Sequence, residues 1–279
     1  MNEAEILLSR LLRCDRALLY LDGHRKLGRR ETLFLSGALK KRIEGVPLEY
    51  ILGDAECMGL EFKVDADVFI PRPETELVIE EAFSCITSLR LQKKECVRIM
   101  DLGTGAGVIA IALARWLPQA QFFAVDISRR ALARAQANAR LYGLEDRINY
   151  IHSDLFASPA LDGRTFDMIV SNPPYIRQCE IAHLAPEVRN QPFVALDGGL
   201  DGLDFYRRIS ADAPRFLKAD GAVVVEVGSN QKDAVVEIFQ AQGVFEVTKV
   251  IKDYSGIERV IVARARIGSA CLDDKGRMK

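Results

Sequence analysis

The chain has 279 residues, of which 49% are hydrophobic and 28% charged, and its formal net charge is −1. These totals are typical of a globular protein with one large domain or a small domain beside a larger one. Such a balance argues against a nucleic-acid backbone bound over a broad surface. The locally basic run His24–Arg30 is interpreted as a solvated helix and loop face.

The six cysteines are scattered without a CxxC pair, and only three histidines are present. This pattern argues against a zinc site and a disulfide framework, so we expect free thiols and no metal. The residues Met1–Glu5 lack the basic and then apolar order of a signal peptide, and no apolar run is as long as a membrane span. The cytoplasm is therefore the expected location, with no membrane partner.

Residues 1–54 carry the apolar spacing of several short helices. Ile6–Leu12 suits a first helix, Asp15 is placed to cap a second, and Leu33–Ile43 continues the spacing before a short piece at Leu48–Leu52. A bundle this small has a thin core. We therefore predict a docking domain for a substrate, without catalytic groups.

After Met58, apolar residues recur at every second position. Leu60, Phe62 and Val64 alternate with polar residues, and the turn Asp65–Asp67 precedes Val68–Ile70. This pattern predicts a β-hairpin within a linker of residues 55–72.

A proline-rich stretch follows the predicted hairpin. Pro71 and Pro73 stiffen it, and Glu74 or Thr75 is placed to cap a helix that starts at Leu77.

Residues 97–265 alternate between strand and helix patterns, which predicts an α/β domain with a mostly parallel sheet and helices on both faces. This domain is expected to span residues 73–266, and a loose polar tail is expected at 267–279. Strands are predicted at 97–100, 121–125, 148–151, 166–170, 222–227, 244–251 and 257–264.

Asp101–Gly107, a run with GxGxG spacing, joins the first of these strands to its helix. Glycines at such a turn let the backbone approach a ligand, and the spacing differs from that of dinucleotide and P-loop sites. Asp126, at the end of the next strand, can accept both ribose hydroxyls, and Asp154 is placed to accept from an adenine amino group. We therefore expect S-adenosyl-L-methionine as the cofactor. The candidate cofactor-binding residues are Gly103, Thr104, Gly105, Ala106, Gly107, Asp126, Asp154, Leu155 and Asn172.

The run Asn172-Pro173-Pro174-Tyr175 follows the apolar strand Phe166–Val170. The prolines stop the strand and leave carbonyl groups free. Asn172 Oδ1 and the Pro173 carbonyl can each accept one hydrogen of a planar NH2 group while Tyr175 packs on its flat face. We predict Asn172, Pro173 and Tyr175 as catalytic residues, although the run alone is equally explained as a turn that closes a strand.

Together the motifs resemble the HemK/PrmC family, the N5-glutamine methyltransferases of peptide chain release factors. The resemblance runs from about Pro47 to Arg264, and the proline-arginine-proline-glutamate run separates it from adenine-N6 methyltransferases, which share Asn-Pro-Pro-Tyr. The motifs are Pro47–Gly53, Ile70–Glu76, Asp101–Gly107, Val125–Ser128, Asn172–Tyr175, Ala195–Gly199 with Asp201–Leu203, and Asp253–Arg259.

The resemblance implies a seven-stranded, Rossmann-like class I methyltransferase domain whose last strand is antiparallel, preceded by a helical bundle and a β-hairpin. It also implies that the substrate is the glutamine of the Gly-Gly-Gln loop of a release factor. One departure is Gln191, where the family usually has glutamate, and no role is assigned to it. The expected substrate-binding residues are Asn172, Pro173, Pro174, Tyr175, Arg72 and Glu74.

Three alternatives stay open. An adenine-N6 methyltransferase would hold a flipped base in the same loop, but neither a basic face nor a separate target-reading domain is evident. A non-catalytic cofactor-binding protein is disfavoured by the intact Asn172 and glycine-rich turn. A glutamine of another protein is the third possible substrate.

Overall fold

The computed structural model describes residues 2–88 and 97–266, so the tail predicted at 267–279 lies outside the described residues. The helices are α1 (Glu3–Leu12), α2 (Arg16–Leu21), α3 (Arg29–Ile43), α4 (Leu48–Leu52), α5 (Pro73–Ser88), α6 (Val108–Trp116), α7 (Arg129–Leu141), α8 (Gln178–Ile181), α9 (Pro186–Arg189), α10 (Asp204–Asp212) and α11 (Lys232–Ala241). The strands are β1 (Asp54–Cys57), β2 (Leu60–Lys63), β3 (Val97–Leu102), β4 (Ala120–Asp126), β5 (Ile148–His152), β6 (Phe166–Ser171), β7 (Leu217–Glu226), β8 (Phe245–Lys252) and β9 (Glu258–Ala265).

Helices α1 to α4 form the predicted bundle. Asp15 caps α2 as expected, because its side chain accepts the backbone N–H of Leu18 at 2.9 Å. The bundle lies against α9, where a Cβ added to Gly45 would come within 2.5 Å of the Pro186 Cβ. Asn190 Nδ2 also donates to the Gly45 carbonyl at 2.8 Å. A glycine is therefore needed at this contact.

The hairpin lies earlier than the sequence pattern predicts. Its strands are β1 and β2, paired from Asp54 with Lys63 to Cys57 with Leu60, so the turn is Met58-Gly59. The predicted second strand, Val68–Ile70, is not a strand. Met58 and Gly59 both have positive φ, as a tight two-residue turn requires, and this signal was missed.

Within residues 2–88 and 97–266, the main sheet has seven strands in the order β5-β4-β3-β6-β7-β9-β8. Strands β3 to β7 are parallel, whereas β9 is antiparallel to both β7 and β8, which confirms the predicted architecture. The chain leaves β3 in one direction through β4 and β5, then returns to β6 on the other side. Ligands of such sheets bind at this switch point, beyond the carboxyl ends of the strands.

Both faces of the central strands are buried, so successive residues of these strands enter different cores. Ile99 and Phe122 pack with α5, α6 and α7, whereas the next residues, Met100 and Phe123, pack with α10 and α11. Each such side chain contributes about 1.5–3 kcal/mol by leaving water. This double packing holds the strand ends, and the loops after them, in fixed positions.

Candidate active site

A cavity of about 580 Å³ opens at the carboxyl ends of β3, β4, β5 and β6. With one exception, every residue proposed from the sequence for cofactor or substrate lines it. These residues are Arg72, Glu74, Gly103, Thr104, Gly105, Ala106, Asp126, Asp154, Leu155, Asn172, Pro173, Pro174 and Tyr175.

Gly107 is the exception, because it does not line the cavity. A Cβ on Gly107 would lie 2.9 Å from the Ile111 Cδ1 and 3.0 Å from the Ala135 Cβ, so this glycine permits close packing of α6 on α7. Gly105 behaves differently, because a Cβ there would meet no atom of the described residues within 4 Å. Its backbone is thus open to a ligand.

Asp101 holds the glycine-rich turn from below. Its Oδ2 accepts the Thr104 hydroxyl at 2.6 Å and the Ala110 N–H at 3.2 Å. Burial raises the pKa of Asp101 to about 7, although these two hydrogen bonds lower it. Asp101 does not line the cavity, so it supports the turn that faces the ligand.

Asp126 lines the cavity together with the Asn-Pro-Pro-Tyr loop and accepts two backbone N–H groups. Gly105 N donates to Oδ2 at 2.9 Å and Ser128 N to Oδ1 at 2.8 Å. Burial raises the pKa of Asp126, against the lowering effect of these bonds. Each carboxylate oxygen keeps a further lone pair, which suits two ribose hydroxyls.

Asp154 forms an ion pair with Arg208, a partner that the sequence pattern does not predict. Arg208 Nη2, from α10, lies 2.7 Å from Asp154 Oδ1, and both side chains line the cavity. An amino group accepted by Asp154 would share this carboxylate with Arg208. Leu155 follows with φ of 49°, so the chain turns sharply at the cavity wall.

Asn172 and Pro173 present unpaired acceptors to the cavity. Asn172 Nδ2 donates to Thr75 Oγ1 at 3.2 Å. Within residues 2–88 and 97–266, neither Asn172 Oδ1 nor the Pro173 carbonyl accepts a hydrogen bond. The two acceptors proposed from the sequence are therefore available together.

Thr75 has a different role from the helix cap that the sequence suggests. Helix α5 begins at Pro73, so Glu74 and Thr75 both lie inside its first turn. The Thr75 hydroxyl donates to Glu226 Oε2 at 3.2 Å, and the Tyr175 hydroxyl donates to Glu226 Oε1 at 3.1 Å. Burial raises the pKa of Glu226 to about 7 and raises the pKa of Tyr175 above its usual range.

The backbone of Tyr175 is enclosed by glycines from distant segments. A Cβ on Gly198 would lie 2.7 Å from the Tyr175 Cα, and one on Gly202 would lie 2.5 Å from its carbonyl oxygen. Gln231 Nε2 donates to that same carbonyl at 2.9 Å. The glycine-rich motif after Ala195 thus serves to fix the Asn-Pro-Pro-Tyr loop.

Arg259 links the last motif to the proline-rich segment. Asp253 Oδ1 accepts the N–H groups of Ser255 and Ile257, and its Oδ2 accepts Arg259 Nε at 2.9 Å. Arg259 Nη2 then lies 3.5 Å from Glu74 Oε1 at the cavity wall. Arg72 lies nearby, with its guanidinium 5.9 Å from the Phe69 ring centroid.

Sequence reasoning missed Glu226, Gln231 and Arg208. Glu226 follows the apolar run Val223–Val225 at the end of a buried strand, as Asp126 follows its own strand, and this parallel was the available signal. The contacts of Gln231 and Arg208 join residues far apart in the chain, so spacing alone gives no sign of them.

In residues 2–88 and 97–266, no group of three or more His, Cys, Asp or Glu side chains is arranged to hold a metal ion. Within the same ranges, no helix combines the length and apolar character that a membrane crossing requires.

Comparison with known proteins identifies both parts of the chain. The family described as "Methyltransferase small domain" matches residues 86–256, and "PrmC N-terminal domain" matches residues 1–53. A methyltransferase structure from Pyrococcus furiosus shares the fold, with a TM-score of 0.53 and 15% identity, over 75% of this chain and 91% of that chain.

Two relatives extend this similarity over most of the chain. A release factor glutamine methyltransferase of Geobacter sulfurreducens is 41% identical over 263 residues, 94% of this chain and 88% of the relative. One from Moorella thermoacetica is 42% identical over 229 residues, 82% of this chain and 78% of the relative. These matches confirm the resemblance inferred from the motifs, and the chain belongs to the release factor glutamine methyltransferase family.

Proposed function

We propose that this protein transfers a methyl group from S-adenosyl-L-methionine to the side-chain amide nitrogen, N5, of the glutamine in the Gly-Gly-Gln loop of a peptide chain release factor. The observation that carries the proposal is a pair of acceptors at the cavity, Asn172 Oδ1 and the Pro173 carbonyl, to which no group in the described residues donates a hydrogen bond. A primary carboxamide has two N–H groups, which match these two acceptors. Membership of the family supports the release factor as partner.

The cofactor is assigned to the side of the cavity that Gly103–Ala106, Asp126, Asp154 and Leu155 line. The open space before Gly105 and the spare lone pairs of Asp126 fit an adenosine group. When bound, S-adenosyl-L-methionine supplies an electrophilic methyl group on a positively charged sulfur.

The residues of the loop have to overcome the low reactivity of an amide nitrogen, whose lone pair is delocalised into the carbonyl. Hydrogen bonds to Asn172 Oδ1 and the Pro173 carbonyl orient this nitrogen and favour the positive charge that builds on it. Tyr175 packs on the flat face of the carboxamide. No general base is needed before transfer, because a methylated amide nitrogen is strongly acidic and loses its proton readily. Pro174, Arg72 and Glu74 are assigned to the rest of the substrate loop.

The remaining parts of the chain are assigned to docking and catalysis. Residues 1–54 are the proposed docking domain for the body of the release factor, 55–72 the linker and 73–266 the methyltransferase domain. Leu21 and Ile43 in the bundle are 80% and 88% exposed, which suits a protein partner. Since release factors act in translation, the cytoplasm is the proposed location.

Transfer of a labelled methyl group tests this proposal with three acceptors: a purified release factor, its variant with alanine for the Gly-Gly-Gln glutamine, and a DNA duplex. Label on the unaltered factor alone is the expected result. Label on the alanine variant would contradict the glutamine assignment. Label on DNA would mean that the Asn-Pro-Pro-Tyr loop holds an adenine.

A further inference from the structure

Behind Asn172, a chain of hydrogen bonds leads to a buried carboxyl group. Asn172 Nδ2 lies 3.2 Å from Thr75 Oγ1, which lies 3.2 Å from Glu226 Oε2, and the Tyr175 hydroxyl lies 3.1 Å from Glu226 Oε1. Thr75 is 4% exposed and Glu226 is 1% exposed. This series of hydrogen bonds joins the loop after β6, the first turn of α5 and the end of β7.

The number of hydrogens that each group can donate determines which group donates and which accepts in these hydrogen bonds. A hydroxyl group has one hydrogen to donate, whereas an ionised carboxylate only accepts. With Glu226 ionised, Thr75 and Tyr175 both donate to it. The lone pairs of Thr75 Oγ1 are then left for the NH2 group of Asn172, so the amide oxygen of Asn172 is left for the cavity.

We propose that Thr75 and Glu226 are positioning residues that set the direction of the Asn172 side-chain amide and so present its oxygen to the substrate. This inference rests on the proposed function, because the oxygen matters only if the substrate donates an N–H there.

Protonation of Glu226 reverses the direction of these hydrogen bonds. The neutral carboxyl donates to Thr75 Oγ1, and the Thr75 hydrogen is then free to donate to Asn172 Oδ1. The turned amide faces the NH2 group of the substrate with its own NH2 group, so two donors meet and the oriented contact is lost.

The charge of Glu226 changes near neutral pH. Burial raises its pKa to about 7, hydrogen bonds from Tyr175 and Thr75 lower it, Glu74 raises it and Arg259 lowers it. As pH rises through this pKa, the carboxyl loses its proton. The orientation of Asn172 that presents its amide oxygen to the substrate then becomes more populated. Among the described residues, the titratable or charged groups around Glu226 are Tyr175 beside β6, Glu74 on α5, Cys57 on β1, Tyr206 on α10 and Arg259 on β9.

The first test compares variants of Thr75 in methyl transfer to the release factor at pH 8. Thr75→Val keeps the shape but removes the hydroxyl, and we expect turnover to fall by about 10²-fold, the effect of a misplaced catalytic group. The KM for the factor and the Kd for the cofactor should change by less than about threefold, because the rest of the substrate loop and the cofactor keep their contacts and only the orientation of Asn172 changes. Thr75→Ser should restore most of the turnover.

The matched control is Thr87→Val, on the same helix, where the hydroxyl donates to the Phe83 carbonyl away from the cavity. It should leave turnover unchanged. Turnover of Thr75→Val within about threefold of the wild-type value would overturn the positioning role.

The second test is the pH dependence of turnover. The wild-type rate should rise between pH 6 and pH 8 with a midpoint near 7. In Glu226→Gln, which cannot ionise, this rise should be absent. A rise that persists unchanged in Glu226→Gln contradicts the proposal.

A third readout needs no substrate. In protein labelled with ¹⁵N at asparagine, the Asn172 NH2 signals, assigned by their loss in Asn172→Ala, should shift with a midpoint near pH 7. The shift should disappear in Glu226→Gln. If the Asn172 NH2 signals shift with pH but the protein does not methylate the release factor, the proposed function alone is contradicted. If the protein methylates the factor but the Asn172 NH2 signals do not shift with pH, the positioning role alone is contradicted.

Discussion

The side-chain Oε1 of Gln191 accepts the backbone N–H of Ile70 at 3.1 Å, although the two residues are 121 positions apart. Gln191 is 4% exposed, and its Nε2 donates to the Glu187 carbonyl at 3.3 Å. It therefore ties the segment after α9 to the linker, and both segments line the cavity. A glutamate, usual here in the family that the motifs resemble, would keep the acceptor but lack the donor.

Gln191→Leu should destabilise the fold. The substitution leaves the buried Ile70 N–H and the part-buried Glu187 carbonyl without their partner, and the buried N–H group alone costs about 1–3 kcal/mol. Urea unfolding measures the loss, with the exposed Gln240→Leu as a control that should change stability by less than about 0.5 kcal/mol. Equal stability of the two variants would show that the contact is unimportant.

Asn172→Ala should reduce turnover by about 10²–10³-fold, the effect of losing one oriented polar contact in a site that excludes water. Single-turnover methyl transfer to the release factor is the measurement. A rate within about tenfold of the wild type would remove Asn172 from its proposed role.

Asp126→Ala should weaken cofactor binding by about 10–100-fold, because hydrogen bonds to a charged group contribute about 1.5–3 kcal/mol. Calorimetric titration with S-adenosyl-L-methionine gives the Kd. Asp126→Asn keeps one oxygen and should lie between the alanine variant and the wild type. An unchanged Kd in the alanine variant contradicts the ribose assignment.

Gly202→Ala should inactivate the protein, since the new Cβ would lie 2.5 Å from the Tyr175 carbonyl and 2.6 Å from Gln231 Nε2. Gly243→Ala is the matched control: its φ of 70° resembles the 78° of Gly202, but within the described part of the chain a Cβ there has no neighbour closer than 4 Å. Both variants should lose about 1–2 kcal/mol of stability from backbone strain. Only Gly202→Ala should lose methyl transfer, and similar activities would refute a special role for this contact.

The double variant Leu21→Ser with Ile43→Ser should raise the KM for the whole release factor by about tenfold, as expected for a few buried anchors in an interface. Its rate on a short Gly-Gly-Gln peptide should not change, because these residues do not line the cavity. Leu141→Ser, 55% exposed on α7, is the control. An unchanged KM for the factor would argue against docking through these residues of the bundle.

Local patterns in the sequence determined the element types and the loops that carry the site. Apolar periods of two and of three to four residues, with a glycine-rich turn and a proline-proline stop, predict all seven sheet strands to within a few residues, apart from the early start of β7. The hairpin was misplaced because Met58-Gly59 is a weak turn signal beside Asp65–Asp67. Because parallel strands end at one edge, the residues after them were expected to meet there, and they line one cavity.

Only the tertiary structure decided which buried groups stand behind that cavity. The contacts of Asn172 with Thr75, of Tyr175 with Gln231 and of Gln191 with Ile70 join segments 97, 56 and 121 positions apart. Hydrogen bonds of this kind depend on distances of a few tenths of an ångström, which the packing of whole layers sets. The spacing of residues along one chain carries no record of them. The type of chemistry is therefore readable from motifs, whereas the direction in which each group is held is a property of the folded layers.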